Sequence, residues 1–198
     1  MKIANLQLIL VFFTVIYSTV CSADKQLHIR SGSAQELRTS TKLALIRKQD
    51  IPELKSGQTV FIKNYYSKKE IIKRGYASPV AVIELVEIGT DAYNIDLRQI
   101  TKTSKRMFKK AFKHRGVIHK KKGEKRVKLR AHSLKYNQGV FSADIEISVT
   151  AELGNNKSIS ATGKRTSYTN LDADASAALS DASTKILNHP DFIQYINQ

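Results

Sequence analysis

The sequence predicts an α+β two-layer sandwich, in which an antiparallel or mixed β-sheet carries two main helices on one face. Three observations predict it. Phe141 to Ala151 alternate apolar and polar side chains without a break over eleven residues, the period of a half-buried strand. Two other stretches, around Leu97–Phe112 and Leu171–Ile186, repeat apolar residues at three- and four-residue steps, the period of a helix packed on one side. Their order is strand, strand, long helix, three-stranded meander, helix. A helix at each end of an antiparallel meander stacks on a single face of it.

The first element is not part of that fold. One cation, Lys2, precedes the apolar run Leu6–Ile16, which has the length of a signal-peptide core and is short for a membrane span. Small and polar residues follow as far as Ala23. Two processing readings compete: cleavage after Ala23, where Cys21-Ser22-Ala23 fits the small-x-small pattern, or lipidation of Cys21. Against lipidation, Val20 and Ser18 stand where a lipobox has a small residue and leucine. The chain thus divides into a signal peptide (1–23), a partly irregular N-terminal extension (24–56) and one α+β domain (57–198).

Within the extension, Lys42–Arg47 (KLALIR) reads as a short strand. Thr59–Lys63, after the turn signal Ser56-Gly57, and Val80–Ile88, after Ser78-Pro79, read as strands, with an edge strand or irregular crossover at Asn64–Tyr76. The long helix is expected from about Asp91 to Arg115, its apolar stripe formed by Leu97, Ile100, Ser104, Met107, Phe108, Ala111 and Phe112, with Gly116 as its C-terminal stop. The meander strands are Val127–Leu134, Phe141–Ala151 and Lys157–Tyr168, joined by turns at Asn137-Gln138-Gly139 and Gly154-Asn155-Asn156. The last helix carries Asp172 and Asp174 in its first turn. His189-Pro190 ends it before a final helical turn or two at Asp191–Asn197.

Composition narrows the function. The 198 residues are 41% hydrophobic and 25% charged, globular rather than disordered, and one cysteine rules out a disulfide scaffold and a cysteine zinc site. Lys+Arg 33 against Asp+Glu 17 gives a net charge of +16. The block Lys102–Arg130 supplies +13 of it, with fourteen Lys or Arg and one acid, Glu124. Lys102, Lys105, Arg106, Lys109 and Lys113 share the helix side opposite the apolar stripe, and Lys120, Lys121 and Lys122 follow in the next loop. Together they are expected to form a surface for an anionic partner such as lipopolysaccharide or acidic lipid. Nucleic acid fits less well, because Tyr136 and Tyr168 are the meander's only aromatics placed for stacking, and its outer face reads as Ser, Thr, Asp and Glu.

Catalytic patterns are missing. There is no Gly-x-Ser-x-Gly, no glycine-rich phosphate loop, and no cysteine outside the signal region to pair with a histidine. His114 and His119 sit among cations that oppose a metal. Asp144 and Glu146 read as solvent-facing acids that balance lysines, and Asp172 and Asp174 as helix N-terminal acids. No cofactor is expected. A hydrolase would need a pocket that joins a histidine to Asp144 or Glu146.

From Ile95 to the C-terminus the chain resembles the YajG family of Gram-negative envelope lipoproteins. The features that carry this are Asp96-Leu97-Arg98 opening a helix that ends in His114-Arg115-Gly116, the strand Val127–Leu134, and a hairpin containing Tyr136-Asn137. Asp144-Ile145-Glu146-Ile147, the Gly-Asn-Asn turn, Ser167-Tyr168, the alanine-rich helix and the closing Asp191-Phe192-Ile193 complete them. The element order is also similar to that of the lipopolysaccharide-assembly lipoprotein LptE. The resemblance implies a small, non-enzymatic envelope protein, normally tethered to the outer membrane by a lipidated N-terminal cysteine and without an assigned substrate. The chain is expected to be exported, periplasmic or at the outer-membrane periphery, with another envelope protein as a further candidate partner. The alternatives are a secreted protein that binds host anionic membrane or nucleic acid, and a hydrolase with an unrecognised site.

Overall fold

A computed structural model describes residues 35–65, 73–76, 92–138, 143–167 and 170–198. The signal segment with Cys21, the expected strand Val80–Ile88, the turn at Gly139 and Tyr168 lie outside the described residues. The α+β sandwich is the fold observed. Its elements are β1 (Gln35–Leu37), a 3-10 turn (Lys48–Asp50), β2 (Thr59–Asn64), β3 (Lys73–Tyr76), β4 (Ala92–Ile95) and α1 (Leu97–His114). These are followed by β5 (Ile118–His119), β6 (Lys125–Gln138), β7 (Ala143–Leu153), β8 (Ser158–Ser167), α2 (Leu171–Leu187) and α3 (Pro190–Asn197).

The main sheet is mixed, in the order β5-β2-β6-β7-β8. β6, β7 and β8 form the antiparallel meander, while β2 runs parallel to both β5 and β6. Alternation decides which face is covered. Val60 and Ile62, Val127, Leu129 and Ala131, and Ile145, Ile147, Val149 and Ala151 are all buried and meet α1 and α2. The α1 stripe read from the sequence is buried throughout. Phe108 stands edge-on to Phe112 and to Phe192 of α3, with ring centroids 6.3 and 5.8 Å away, at the centre of this core. Among the described residues, the side chains on the opposite face of the sheet are exposed or half-buried.

α1 begins later than the sequence suggests. Residues 92–95 pair as β4, and the Asp96 carboxylate accepts from the backbone N–H groups of Arg98 (2.8 Å) and Gln99 (3.2 Å), which fixes the first turn at Leu97. Its end is as expected. Gly116 takes φ +71°, its N–H reaches Lys113 O and that of Val117 reaches Phe112 O, the paired bonds of a Schellman stop.

Lys42–Arg47 is a turn and irregular chain, not a strand. Ser40 O accepts from both Leu43 and Ala44 N–H, and Ser40 Oγ accepts from Lys42 N–H, so these donors are taken before a ladder can form. Residues 38–56 nonetheless bury Ile46, Ile51 and Leu54 against the core. A second, three-stranded sheet, β1-β4-β3, was not foreseen.

α2 lies very close to β8. A Cβ on Gly163 would stand 1.8 Å from Ala178 O and 2.6 Å from Ala182 N, so only glycine fits beneath the helix. α2 also reaches past the strand's outer side. Asp181 Oδ2 accepts from Lys164 N–H (3.3 Å), Lys185 Nζ donates to Thr162 O (2.9 Å), and the two side chains pair with each other at 2.9 Å.

Candidate functional site

The basic block of the sequence folds into two groups on opposite sides of the sheet. The first lies on α1. Lys102, Arg106, Lys109 and Lys113 are exposed and Lys105 is half-buried, all on the side away from the apolar stripe. None of these five meets a carboxylate among the described residues. Burial pushes the Lys105 ammonium below its usual range, and the neighbouring Lys109 charge adds to this. Arg115 has a different task, since its guanidinium donates to Ile51 O at 2.5 Å and ties the helix end to the N-terminal loop.

His119 on the edge strand β5 stands beside this group. Its ring is tilted against Phe61, with centroids 6.4 Å apart, and Nε2 is buried without a hydrogen-bond partner among the described residues. Burial lowers its affinity for a proton, and the charges of Lys109 and Lys105 lower it further. An NMR titration should therefore place the His119 pKa below the ordinary 6.5, and Lys105→Gln/Lys109→Gln should move it back up. The unfolded chain takes up this proton first. Stability from the neutral ring is thus complete above about 6.5 and is lost as pH falls through the lower folded value. A pKa unmoved in the double variant would detach His119 from the two lysines.

The second group lies on the open face of the sheet. The parallel register pairs Phe61 with Arg126 and Lys63 with Lys128, and all four alternate with buried neighbours, so they point away from the helices. With Lys121, Lys122, Gly123 and Val127 they line a cleft of about 610 Å³. Five of its eight lining residues are cations and none is an acid. The turn that supplies Lys121 and Lys122 is closed by Gly123 N–H donating to Lys120 O (3.3 Å) and pinned to β2 by Lys120 N–H donating to Val60 O (3.1 Å) and Glu124 N–H to Thr59 Oγ1 (3.1 Å). Gly123 permits this, because a Cβ there would be 2.7 Å from both Phe61 N and Val60 C.

Lys121 and Lys122 are therefore brought together with Lys63, Arg126 and Lys128, which the sequence reading did not assign to a site. Lys120 is exposed between the two groups. A signal for the missing partners existed in and just after β2, where Phe61, Lys63 and Tyr65 alternate with Val60, Ile62 and Asn64. Farther along the same face, Lys128 and Arg130 lie over the Tyr65 ring at 5.6 and 5.8 Å, and Lys128 pairs with Glu152 at 3.2 Å. This stretch borders a smaller cleft of about 360 Å³ that also includes His132, Thr150 and Ser160.

The β7–β8 side of the open face is different. Glu146 pairs with Lys164, whose hydrogen bond holds the Glu146 carboxyl below the usual carboxylate range, and Asp144 accepts from Thr166 Oγ1 at 2.8 Å. The cleft beside them is lined by Asp144, Ile145, Glu146, Lys164, Arg165 and Thr166, with no histidine among these residues. His114 is exposed in the last turn of α1. No group of three or more metal-ligating side chains occurs among the described residues.

No family model and no curated protein sequence matches the chain. Several solved structures are similar to it. One is protein XCC0632 from Xanthomonas campestris, assigned to family DUF330, at 16% identity and a TM-score of 0.46, covering 79% of this chain and 90% of that one. Another is an uncharacterized protein at 6% identity and a TM-score of 0.38, covering 78% of this chain and 95% of its own. Similarity at this level assigns neither a family nor an activity.

Proposed function

We propose that the chain is an exported, non-enzymatic binding protein of the bacterial cell envelope, of YajG-like type, whose cationic surface receives an anionic envelope component. The observation that carries this reading is an excess of uncompensated charge. Lys102, Lys105, Arg106, Lys109 and Lys113 on α1, and Lys63, Lys121, Lys122 and Arg126 on the open face, have no carboxylate partner among the described residues. Such an array repels itself and gains no stability from internal pairs, so an external anion is its natural complement. The leading segment Leu6–Ile16 and the features resembling YajG support the compartment.

Vesicle co-sedimentation tests it. The protein should bind vesicles that contain acidic lipid or lipopolysaccharide at about 50 mM salt, and binding should fall steeply by about 200 mM. Equal binding to neutral vesicles, or none to any, would overturn the reading.

A further inference from the structure

We infer that the cleft on the open face is the seat for the phosphate of an anionic lipid headgroup, and that the α1 face is not. This rests on the envelope-binding reading and deepens it. The two basic groups differ in shape. The α1 cations radiate from a convex helix, whereas Lys63, Lys121, Lys122, Arg126 and Lys128 converge on one concavity. Its volume of about 610 Å³ lies in the range of small-ligand sites, about 300–1,000 Å³. Among the described residues only Lys128 of these cations pairs with a carboxylate, Glu152, and the other four have no such partner there. Arg126 contributes a planar donor fork that matches two phosphate oxygens, and the lysines add point charges around it.

The cleft is also held in shape before anything binds. Gly123 packs its turn directly on the β2 backbone, two backbone donors fasten the turn there and a third closes it on itself, so Lys121 and Lys122 are carried on a fixed platform. Less order must then be imposed when a ligand arrives.

Apolar surface beside the charges favours a lipid source. Phe61 lines the cleft. Ile118, 45% exposed, is paired in register with Thr59 and so shares the open face with Phe61. A phosphate with an attached hydrocarbon satisfies both kinds of surface. An extended nucleic acid fits less well, because Glu152 and Glu146 stand on the β7 part of the same face and the Tyr65 ring already carries Lys128 and Arg130.

The test uses the full chain, phosphatidylcholine vesicles with and without phosphatidic acid, and three variants that each remove three positive charges. The cleft variant is Lys121→Gln/Lys122→Gln/Arg126→Gln, the α1 variant Lys102→Gln/Lys109→Gln/Lys113→Gln, and the reference Lys42→Gln/Lys48→Gln/Lys55→Gln. All the replaced side chains are exposed, and thermal melts check that each variant is folded. The cleft variant should weaken binding to phosphatidic acid vesicles by about tenfold, and the other two by about threefold or less through net charge alone. Equal losses in the cleft and α1 variants would overturn the cleft as the site. So would displacement from vesicles by inorganic pyrophosphate at the concentration of the lipid phosphate it replaces, or tighter binding to a single-stranded oligonucleotide. If the unaltered chain binds no acidic vesicle, the envelope-binding reading itself falls.

Discussion

Gly163→Ala should lower the melting temperature by about 6–12 °C, the equivalent of about 3 kcal/mol in a chain of this size. The added methyl would meet Ala178 O at 1.8 Å and Ala182 N at 2.6 Å. Both are backbone atoms, so no rotamer change relieves the contact. α2 would have to lift from the sheet, and the fully buried Ala175, Ala178, Leu179, Ala182 and Ile186 would lose their packing together. Gly57→Ala is the comparison. Its φ of +81° is unfavourable for alanine, but an added Cβ would meet nothing within 4 Å, so the cost is limited to the about 1–2 kcal/mol of the left-handed conformation. Calorimetry on the two variants separates steric displacement from backbone strain. A Gly163→Ala melt within a degree of the parent would mean that the helix does not lie on β8 at this spacing.

Phe108→Ala should cost about 3–5 kcal/mol, by lost burial and by the cavity it leaves. Phe108 is fully buried and its ring meets Phe112 on its own helix and Phe192 on α3. Removing it takes away one side of the seat for Phe192, so the C-terminal helix loosens along with the core. Tyr195 marks the next attachment of that helix: its hydroxyl accepts from Arg126 N–H (2.8 Å) and Gly154 N–H (3.1 Å) and donates to Arg126 O (3.2 Å). Chemical denaturation should show the lowered stability, and hydrogen exchange should show the amides of residues 190–197 losing protection. A loss under about 1 kcal/mol would contradict the central place given to this ring.

The helices and the meander were legible because each carries its own period. Leu97 to Phe112 show one apolar stripe wherever the rest of the chain goes, and Phe141 to Ala151 alternate over a length that only a half-covered strand sustains. Gly116 could be read because a left-handed residue after a helix has few occupants besides glycine. The small sheet was hidden for the opposite reason. β1, β3 and β4 have three or four residues each, and Gln35 finds its partner at Tyr93, so the pairing is set by distant chain and not by local pattern. The candidate site was half legible. Charge density drew the eye to Lys102–Arg130, but its division between two faces depends on β2 inserting in parallel between β5 and β6. Lys63 enters the cleft only through its register with Lys128.

A ten-residue strand with no neighbouring strand beyond it, among the described residues, invites recruitment of another chain through its open backbone groups. On β8 that invitation is withdrawn by α2. The Lys164 N–H is taken by Asp181, the Thr162 carbonyl by Lys185, and the linked pair stands where an incoming strand would have to lie. At the other end β5 has two residues, too few to template anything. Lateral growth into fibres or strand-swapped dimers is discouraged at both ends, which leaves the broad side of the sheet, with its lysines and Arg126, as the surface a partner could reach without strand pairing.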